Sequence, residues 1–216
     1  VVVEDTNVAM AAIAAAYYDH PSMELRLVGV TGTNGKTTTA TLLYDMFMAL
    51  GYKAGLISTV VYRIGEESIA STHTTPDAIR LNAMMRRMVN EGCDYCFMEV
   101  SSHAAAQHRI DNLKFAGALF TNLTHDHLDY HGTYKEYIRA KKSFFDMLSE
   151  GAWAVTNIDD RNGEVMVQNC RAHVYRVSLR SMADYRTKIL EMLPGGMQLM
   201  VDGHELWVSF TGRFNA

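Results

Sequence analysis

The amino-acid sequence predicts an α/β protein with a doubly wound, mainly parallel sheet and a small antiparallel β appendage near the C-terminus. Helix-like and strand-like segments alternate from residue 6 to residue 178, which is the rhythm of βαβ units. A glycine turn, a lysine and threonines directly follow one apolar strand. From Arg186 onward, two-residue alternation is broken by Pro194-Gly195-Gly196 and Asp202-Gly203, a pattern typical of short antiparallel strands.

The predicted elements each have a local signal. The alanine-rich residues 6–18 predict a helix. A second helix is predicted over 37–50 and ends at Gly51. A third begins at Pro76-Asp77 and runs to about Asn90, with Gly92 as its stop. A further helix is predicted over 133–148. Gly65-Glu66-Glu67 predicts a hairpin tip. Apolar runs predict strands over 25–30, 54–62, 95–100, 115–122 and 152–157, with a short helix and a strand over 174–178 after them.

Composition restricts the classes of protein to consider. A chain of 216 residues with 48% hydrophobic content can bury a substantial core. A net charge of −4 without a basic run disfavours nucleic acid as a partner. The apolar stretch over residues 8–16 is too short to span a bilayer and no charged signal segment precedes it, so we expect a cytoplasmic protein without membrane insertion. For Cys93 and Cys96, which begin an apolar run, we expect plain strand packing rather than a metal or redox site.

A phosphate-binding loop is predicted where the strand over 25–30 ends, which makes the sheet one of P-loop type. Gly32 and Gly35 allow the backbone to curl around an anion, and a helix N-terminus faces the same point. Lys36 would neutralise phosphates and Thr37 would offer a hydroxyl to Mg²⁺. The usual spacing would have a glycine at position 30, where this chain has Val30, so the loop is of the shorter G-T-N-G-K-T type.

Polar residues follow two other predicted strands. Glu99 closes an apolar run, where an unpaired carboxylate is costly to bury. It would either form an ion pair with an arginine or serve Mg²⁺ beside the phosphate loop. Residues 124–131, T-H-D-H-L-D-Y-H, are rich in potential ligands, and their composition leaves Mg²⁺, zinc and a phosphate contact open.

Lys141 has an unusual place in the predicted helix over 133–148. Helical spacing puts it on an apolar stripe with Tyr134, Ile138, Phe145 and Leu148. One interpretation is snorkelling, with the ammonium in water. The other is a lysine that burial keeps neutral, and that is therefore nucleophilic and open to modification.

These segments together resemble the Mur ligases of peptidoglycan synthesis, most closely the branch that adds the third peptide residue. The resemblance rests on motifs that occur in this order: L-V-G-V-T-G-T-N-G-K-T-T (27–38), T-T-P (74–76), M-E-V-S-S-H (98–103), Q-H-R (107–109), T-N-L-T-H-D-H-L-D-Y-H-G (121–132), A-K (140–141) and G-R-F-N (212–215). It covers nearly the whole chain but only the central ATPase domain of a three-domain family.

The resemblance implies a role for each matching residue. The loop residues Gly32, Thr33, Asn34, Gly35, Lys36, Thr37 and Thr38 would hold ATP, with Asn215 near the adenine. Thr37 and Glu99 would hold one Mg²⁺, and His127 and Lys141 a second, the lysine as its carbamate. The catalytic set would be Lys36, Glu99, His127 and Lys141. The muramoyl-peptide would contact Thr74, Thr75, Ser101, Gln107 and Arg109, whereas His73 departs from the asparagine of close relatives.

The implied reaction is an ATP-dependent ligation in which the D-glutamyl carboxylate of UDP-MurNAc-L-Ala-D-Glu is phosphorylated and the acyl phosphate is attacked by an amine. The amino acid added, meso-diaminopimelate or L-lysine, stays open. The alternatives are another ligase of the superfamily, adding the terminal dipeptide or extending folate with glutamate, and a nucleotide-dependent switch. The switch is disfavoured because Asn157-Ile158-Asp159-Asp160 lacks the lysine of a guanine-reading N-K-x-D motif.

The resemblance also implies the domain organisation. Residues 1–24 would be the exit helix and linker from an N-terminal UDP-binding domain, and residues 25–216 the central ATP-binding domain. The N-terminal and C-terminal domains of the family would be missing. We expect a monomer.

Overall fold

The computed structural model describes residues 2–124 and 132–213. An eleven-stranded sheet lies at its centre, in the order β11-β10-β9-β8-β7-β6-β1-β5-β2-β3-β4. The strands are β1 (Arg26–Thr31), β2 (Ala54–Ile57), β3 (Val61–Ile64), β4 (Glu67–Ala70), β5 (Tyr95–Glu99), β6 (Phe115–Phe120), β7 (Trp153–Asn157), β8 (His173–Ser178), β9 (Tyr185–Leu193), β10 (Gly196–Val201) and β11 (His204–Val208).

Parallel pairing runs without a break from β2 through β5, β1, β6, β7 and β8 to the start of β9. The outer pairs on both sides are antiparallel: β2–β3–β4 at one edge and β9–β10–β11 at the other. The predicted mainly parallel sheet with a C-terminal antiparallel appendage is therefore confirmed. The appendage continues the main sheet, because Val177 pairs with Tyr185 and Ser178 with Arg186.

Helices cover both faces of the sheet. They are α1 (Thr6–Tyr17), α2 (Lys36–Ala49), α3 (Ala78–Asn90), α4 (Ser102–Ala106), α5 (Tyr134–Asp146) and α6 (Gly163–Val167). Successive residues of β1 point to opposite faces of the sheet and enter two different cores. Val28 belongs to the core that contains Tyr44 of α2, and Leu27 belongs to the core that contains Phe144 of α5. At Gly29, an added Cβ would lie 2.4 Å from Phe144 Cζ. The absent side chain thus lets α5 pack closely on the strand that leads into the phosphate loop.

One local expectation was wrong, and one short helix was missed. The predicted strand over 54–62 is two strands, because the chain turns after Ile57 and returns as β3, antiparallel to β2. The turn is made by Ser58, whose hydroxyl donates to Val61 O (2.8 Å) and accepts from Val61 N (3.2 Å). The short helix α4 was not predicted; it begins after Ser101, whose hydroxyl accepts from Ala104 N.

The remaining helices agree with their local signals. Asp77 and Thr133 cap α3 and α5 through their side chains, and Gly51 and Gly92 adopt positive φ after α2 and α3. The strand-packing expectation is confirmed for Cys96, which lies in β5. Cys93 lies two residues before that strand and is also buried in the core, and desolvation raises the pKa of both thiols. Among the described residues, no helix is long and apolar enough to cross a membrane.

Candidate functional site

The phosphate loop joins the end of β1 to the start of α2. Gly32 has φ +149° and Gly35 has φ +85°, values that side-chain-bearing residues rarely adopt. Space is also restricted at Gly32, where a Cβ would lie 2.0 Å from Thr121 Oγ1. The loop therefore requires a glycine at this position both for its conformation and for its packing.

The end of β6 holds the loop in place. Thr121 Oγ1 donates to Asn34 O (2.6 Å), and Asn122 Oδ1 accepts from Asn34 N (3.0 Å). The backbone N–H of Thr33 donates to Asn122 O (2.8 Å). The amides of Thr33 and Asn34 thus bond to Asn122, and the N-terminus of α2 begins at Lys36, directly after the loop.

Lys36 lies folded back over the loop. Its Nζ donates to Gly32 O (3.0 Å) and Thr33 O (2.9 Å). A terminal phosphate that reached the loop would compete with these carbonyls for the ammonium, and the ionic contact is the stronger one.

Glu99 lies beside the start of α2, 1% exposed at the end of β5. Its Oε1 accepts from Thr37 Oγ1 (2.8 Å) and Thr59 N (2.7 Å), and its Oε2 from Thr59 Oγ1 (3.1 Å). Within residues 2–124 and 132–213 no arginine or lysine forms an ion pair with it, contrary to the ion-pair alternative. A buried carboxylate next to a threonine hydroxyl is an oxygen donor set that suits Mg²⁺.

Lys141 contacts the start of the loop and is 2% exposed. Its Nζ donates to Gly32 O (2.9 Å) and lies 4.8 Å from the centre of the Tyr137 ring. The Tyr137 hydroxyl is in turn 3.1 Å from Thr33 Oγ1. The snorkelling interpretation is therefore wrong, because the amine points into the protein and contacts the phosphate loop.

The residues expected to contact the peptide lie next to Glu99. Thr75, 1% exposed, donates its hydroxyl to Glu99 O (2.8 Å) and accepts from Ser101 N (3.1 Å). The hydroxyl oxygens of Thr74 and Thr59 are 3.0 Å apart. Through Glu99 and Thr59, the structure brings this group together with the phosphate loop.

Gln107 and Arg109 lie one step further out. The Arg109 guanidinium donates to Thr75 O (2.8 Å) and to Gln107 Oε1 (2.9 Å), so Gln107 orients the arginine. Both line a cavity of about 240 Å³ together with His73, Asp77, His108 and, from α1, Asn7 and Met10.

A larger cleft of about 590 Å³ borders the phosphate loop. It is lined by Gly35, Thr38 and residues at the carboxyl ends of β6, β7 and β8, among them Asn122, Asp159 and Arg180. Asp159, Arg180 and Thr59 were not predicted from the sequence as site residues. Their position directly after a strand of a parallel sheet is the pattern that could have identified them.

Asp159 and Asp160 connect the strand ends around this cleft. Asp159 Oδ1 accepts from Ser178 Oγ (2.6 Å), and its Oδ2 from Leu179 N (2.7 Å). Asp160 Oδ2 accepts from Leu123 N (2.6 Å). Two predicted site residues, His127 and Asn215, lie outside the described residues, as does most of the ligand-rich segment 124–131.

The fold and the glycine loop after β1 define an α/β protein of P-loop type. The chain belongs to the Mur ligase family, since residues 30–216 match the Mur ligase middle domain. A curated protein of Phocaeicola vulgatus named UDP-N-acetylmuramoyl-L-alanyl-D-glutamate–2,6-diaminopimelate ligase is 57% identical over 99% of this chain and 44% of its own length.

Solved structures give the same result for the fold. A ligase of that same name has a TM-score of 0.82 and 26% identity, over 96% of this chain and 45% of the other. The MurF ligase of Thermotoga maritima in complex with ADP has a TM-score of 0.66 and 18% identity, over 98% and 46% of the two chains; this likeness concerns the fold. This chain spans less than half the length of the curated relative that it matches.

Proposed function

We propose that this chain is the central, nucleotide-binding part of a ligase that uses ATP to join 2,6-diaminopimelate to UDP-MurNAc-L-Ala-D-Glu. The observation that carries the proposal is the convergence on Glu99. Thr37 of the phosphate loop donates to the Glu99 carboxylate, and Thr75 of the expected peptide region donates to the Glu99 carbonyl. A reaction between a nucleotide phosphate and a peptide carboxylate needs this adjacency. The name of the 57% identical relative supports the choice of amino acid.

In the proposed reaction, a D-glutamyl carboxylate oxygen attacks the γ-phosphorus of ATP, and ADP leaves. The amine then attacks the acyl phosphate, losing a proton as inorganic phosphate departs and the amide forms. Lys36 and the α2 N-terminus bind the phosphates and offset the repulsion between two anions. Mg²⁺, held by Thr37 and Glu99, would supply additional neutralisation of that charge.

Arg109 and its neighbours are proposed to hold the substrate carboxylate in line. Gln107 and the Thr75 carbonyl fix the guanidinium, and a fixed guanidinium suits an anionic group of the peptide precursor. Thr74 and Ser101 would add hydroxyl contacts beside Glu99.

For Lys141 we propose the carbamate, formed with CO₂, as a ligand of a second Mg²⁺ together with His127. Its hydrogen bond to Gly32 O requires only one N–H, which a carbamate retains. The carboxylate of such a group would supply oxygen ligands where an ammonium would repel the metal. We further expect the enzyme to act in the cytoplasm as a monomer, with Asn215 near the adenine.

The test uses the complete protein that carries this sequence, with ATP, Mg²⁺, UDP-MurNAc-L-Ala-D-Glu and either 2,6-diaminopimelate or L-lysine. ADP release and tripeptide formation should occur with diaminopimelate. Lys36→Ala should abolish ATP use, while Arg109→Ala should raise the KM for the UDP precursor about ten- to a hundredfold and leave the KM for ATP unchanged. Lys53→Ala is the control, because its amine donates to Glu91 O at the surface.

No ADP release with either amino acid would contradict the ligase proposal. A preference for L-lysine would contradict only the choice of amino acid. An Arg109→Ala enzyme whose KM rises for ATP instead would show that the peptide region has been misassigned.

A further inference from the structure

Thr59 occupies the turn between β2 and β3 and is exposed at the surface of the site. Its hydroxyl oxygen lies 3.1 Å from Glu99 Oε2 and 3.0 Å from Thr74 Oγ1. It is thus in hydrogen-bond contact with both the carboxylate proposed to hold Mg²⁺ and a threonine proposed to contact the peptide.

Both contacts depend on the single proton of the Thr59 hydroxyl, which can be donated to Glu99 Oε2 or to Thr74 Oγ1. A metal ion that replaces this donor at Glu99 leaves the proton to Thr74, and Thr74 can then turn its own proton toward an acceptor of the precursor. Glu99, Thr59 and Thr74 thus form a row in which a change at one end alters the hydrogen bonding at the other.

The backbone of Thr59 is held independently of its hydroxyl. Its N–H donates to Glu99 Oε1 (2.7 Å). Ser58 closes the turn on Val61, and Ser71 Oγ donates to Ser58 O (2.9 Å). Removal of the hydroxyl should therefore break the row without moving the turn.

We propose that Thr59 is a positioning residue that couples the nucleotide region to the peptide region. Its hydroxyl orients Glu99 Oε2 for Mg²⁺ and at the same time orients Thr74 for the precursor, so binding of either ligand favours binding of the other. Such coupling is reciprocal. The inference rests on the proposed function, because it requires that both ligands bind to this site.

The test compares Thr59→Val, which replaces the hydroxyl by a methyl group, with Thr59→Ser, which keeps it. Calorimetry of the complete protein measures the Kd of the non-hydrolysable β,γ-methylene analogue of ATP over a Mg²⁺ titration, with and without UDP-MurNAc-L-Ala-D-Glu. In the parent protein the precursor should lower the Kd of the analogue. In Thr59→Val this effect should disappear, and the Mg²⁺ concentration at half-saturation should rise about tenfold.

Thr59→Ser should behave like the parent protein. Thr74→Val breaks the row from the peptide side, so it should lose the effect of the precursor and keep the Mg²⁺ half-saturation of the parent. Unfolding temperatures without ligands should be equal in all variants, which separates positioning from a loss of folding.

A Thr59→Val protein with the Mg²⁺ half-saturation and the precursor effect of the parent would overturn this inference and leave the proposed function intact. Loss of both in Thr59→Ser would also overturn it, because the hydroxyl would not be the operative group. A parent protein that binds neither the analogue nor the precursor would overturn the proposed function, and this inference with it.

Discussion

Substitution of Gly32 by alanine should strongly destabilise the protein. The new Cβ would lie 2.0 Å from Thr121 Oγ1 and 3.0 Å from the backbone oxygen of Asn122. Thr121 cannot turn away without losing its hydrogen bond to Asn34 O, and the backbone of Asn122 is itself bonded to the loop. The neighbours therefore have little freedom to adapt.

The expected loss has three contributions. Positive φ costs a non-glycine residue about 1–2 kcal/mol, overpacking about 1–3 kcal/mol, and the lost Thr121 hydrogen bond about 0.5–1.5 kcal/mol. We expect a total of about 2.5–6.5 kcal/mol. For a chain of 216 residues, that lowers the midpoint of thermal unfolding by roughly 5–26 °C.

Gly51→Ala is the matched control. Gly51 also has positive φ, +88°, but no atom lies within 4 Å of an added Cβ, so only the conformational cost of about 1–2 kcal/mol applies. Thermal unfolding followed by circular dichroism measures both variants. The double variant Gly32→Ala with Thr121→Ala removes the nearest atom and should recover part of the loss. Equal losses at the two glycines would refute the argument from close packing.

Two further predictions concern buried side chains. Lys141→Ala in the complete protein should lose nearly all ligase activity and regain part of it with acetate. The activity of the parent protein should fall when CO₂ is removed and return with bicarbonate. Lys142→Ala, which alters a surface ion pair, is the control. Near-normal turnover of Lys141→Ala would contradict the carbamate. A thiol reagent should modify Cys170 in the folded protein, and Cys93 and Cys96 only after denaturation, because the latter two are buried. Equal modification rates for the three thiols in the folded protein would contradict the burial of Cys93 and Cys96.

Much of the fold could be predicted because its signals are local. Continuous apolar runs, capping residues and glycine stops lie within a few residues of the elements that they define, and the phosphate loop is a single contiguous segment. The failures have local causes too. The turn at Ser58 is formed by residues that also favour strands, and the five-residue helix α4 is too short to show a helical period.

By itself, the sequence determined most of the order of elements, the position of the glycine loop after β1 and the presence of a lysine on an apolar helix face. Only the tertiary structure decided what that lysine and Glu99 contact. The amine of Lys141 meets Gly32, 109 residues away, and Glu99 meets Thr37 and Thr59 across 62 and 40 residues. Hydrophobic periodicity specifies which face of an element is buried, but the partner on that face depends on how the strands are ordered in the sheet.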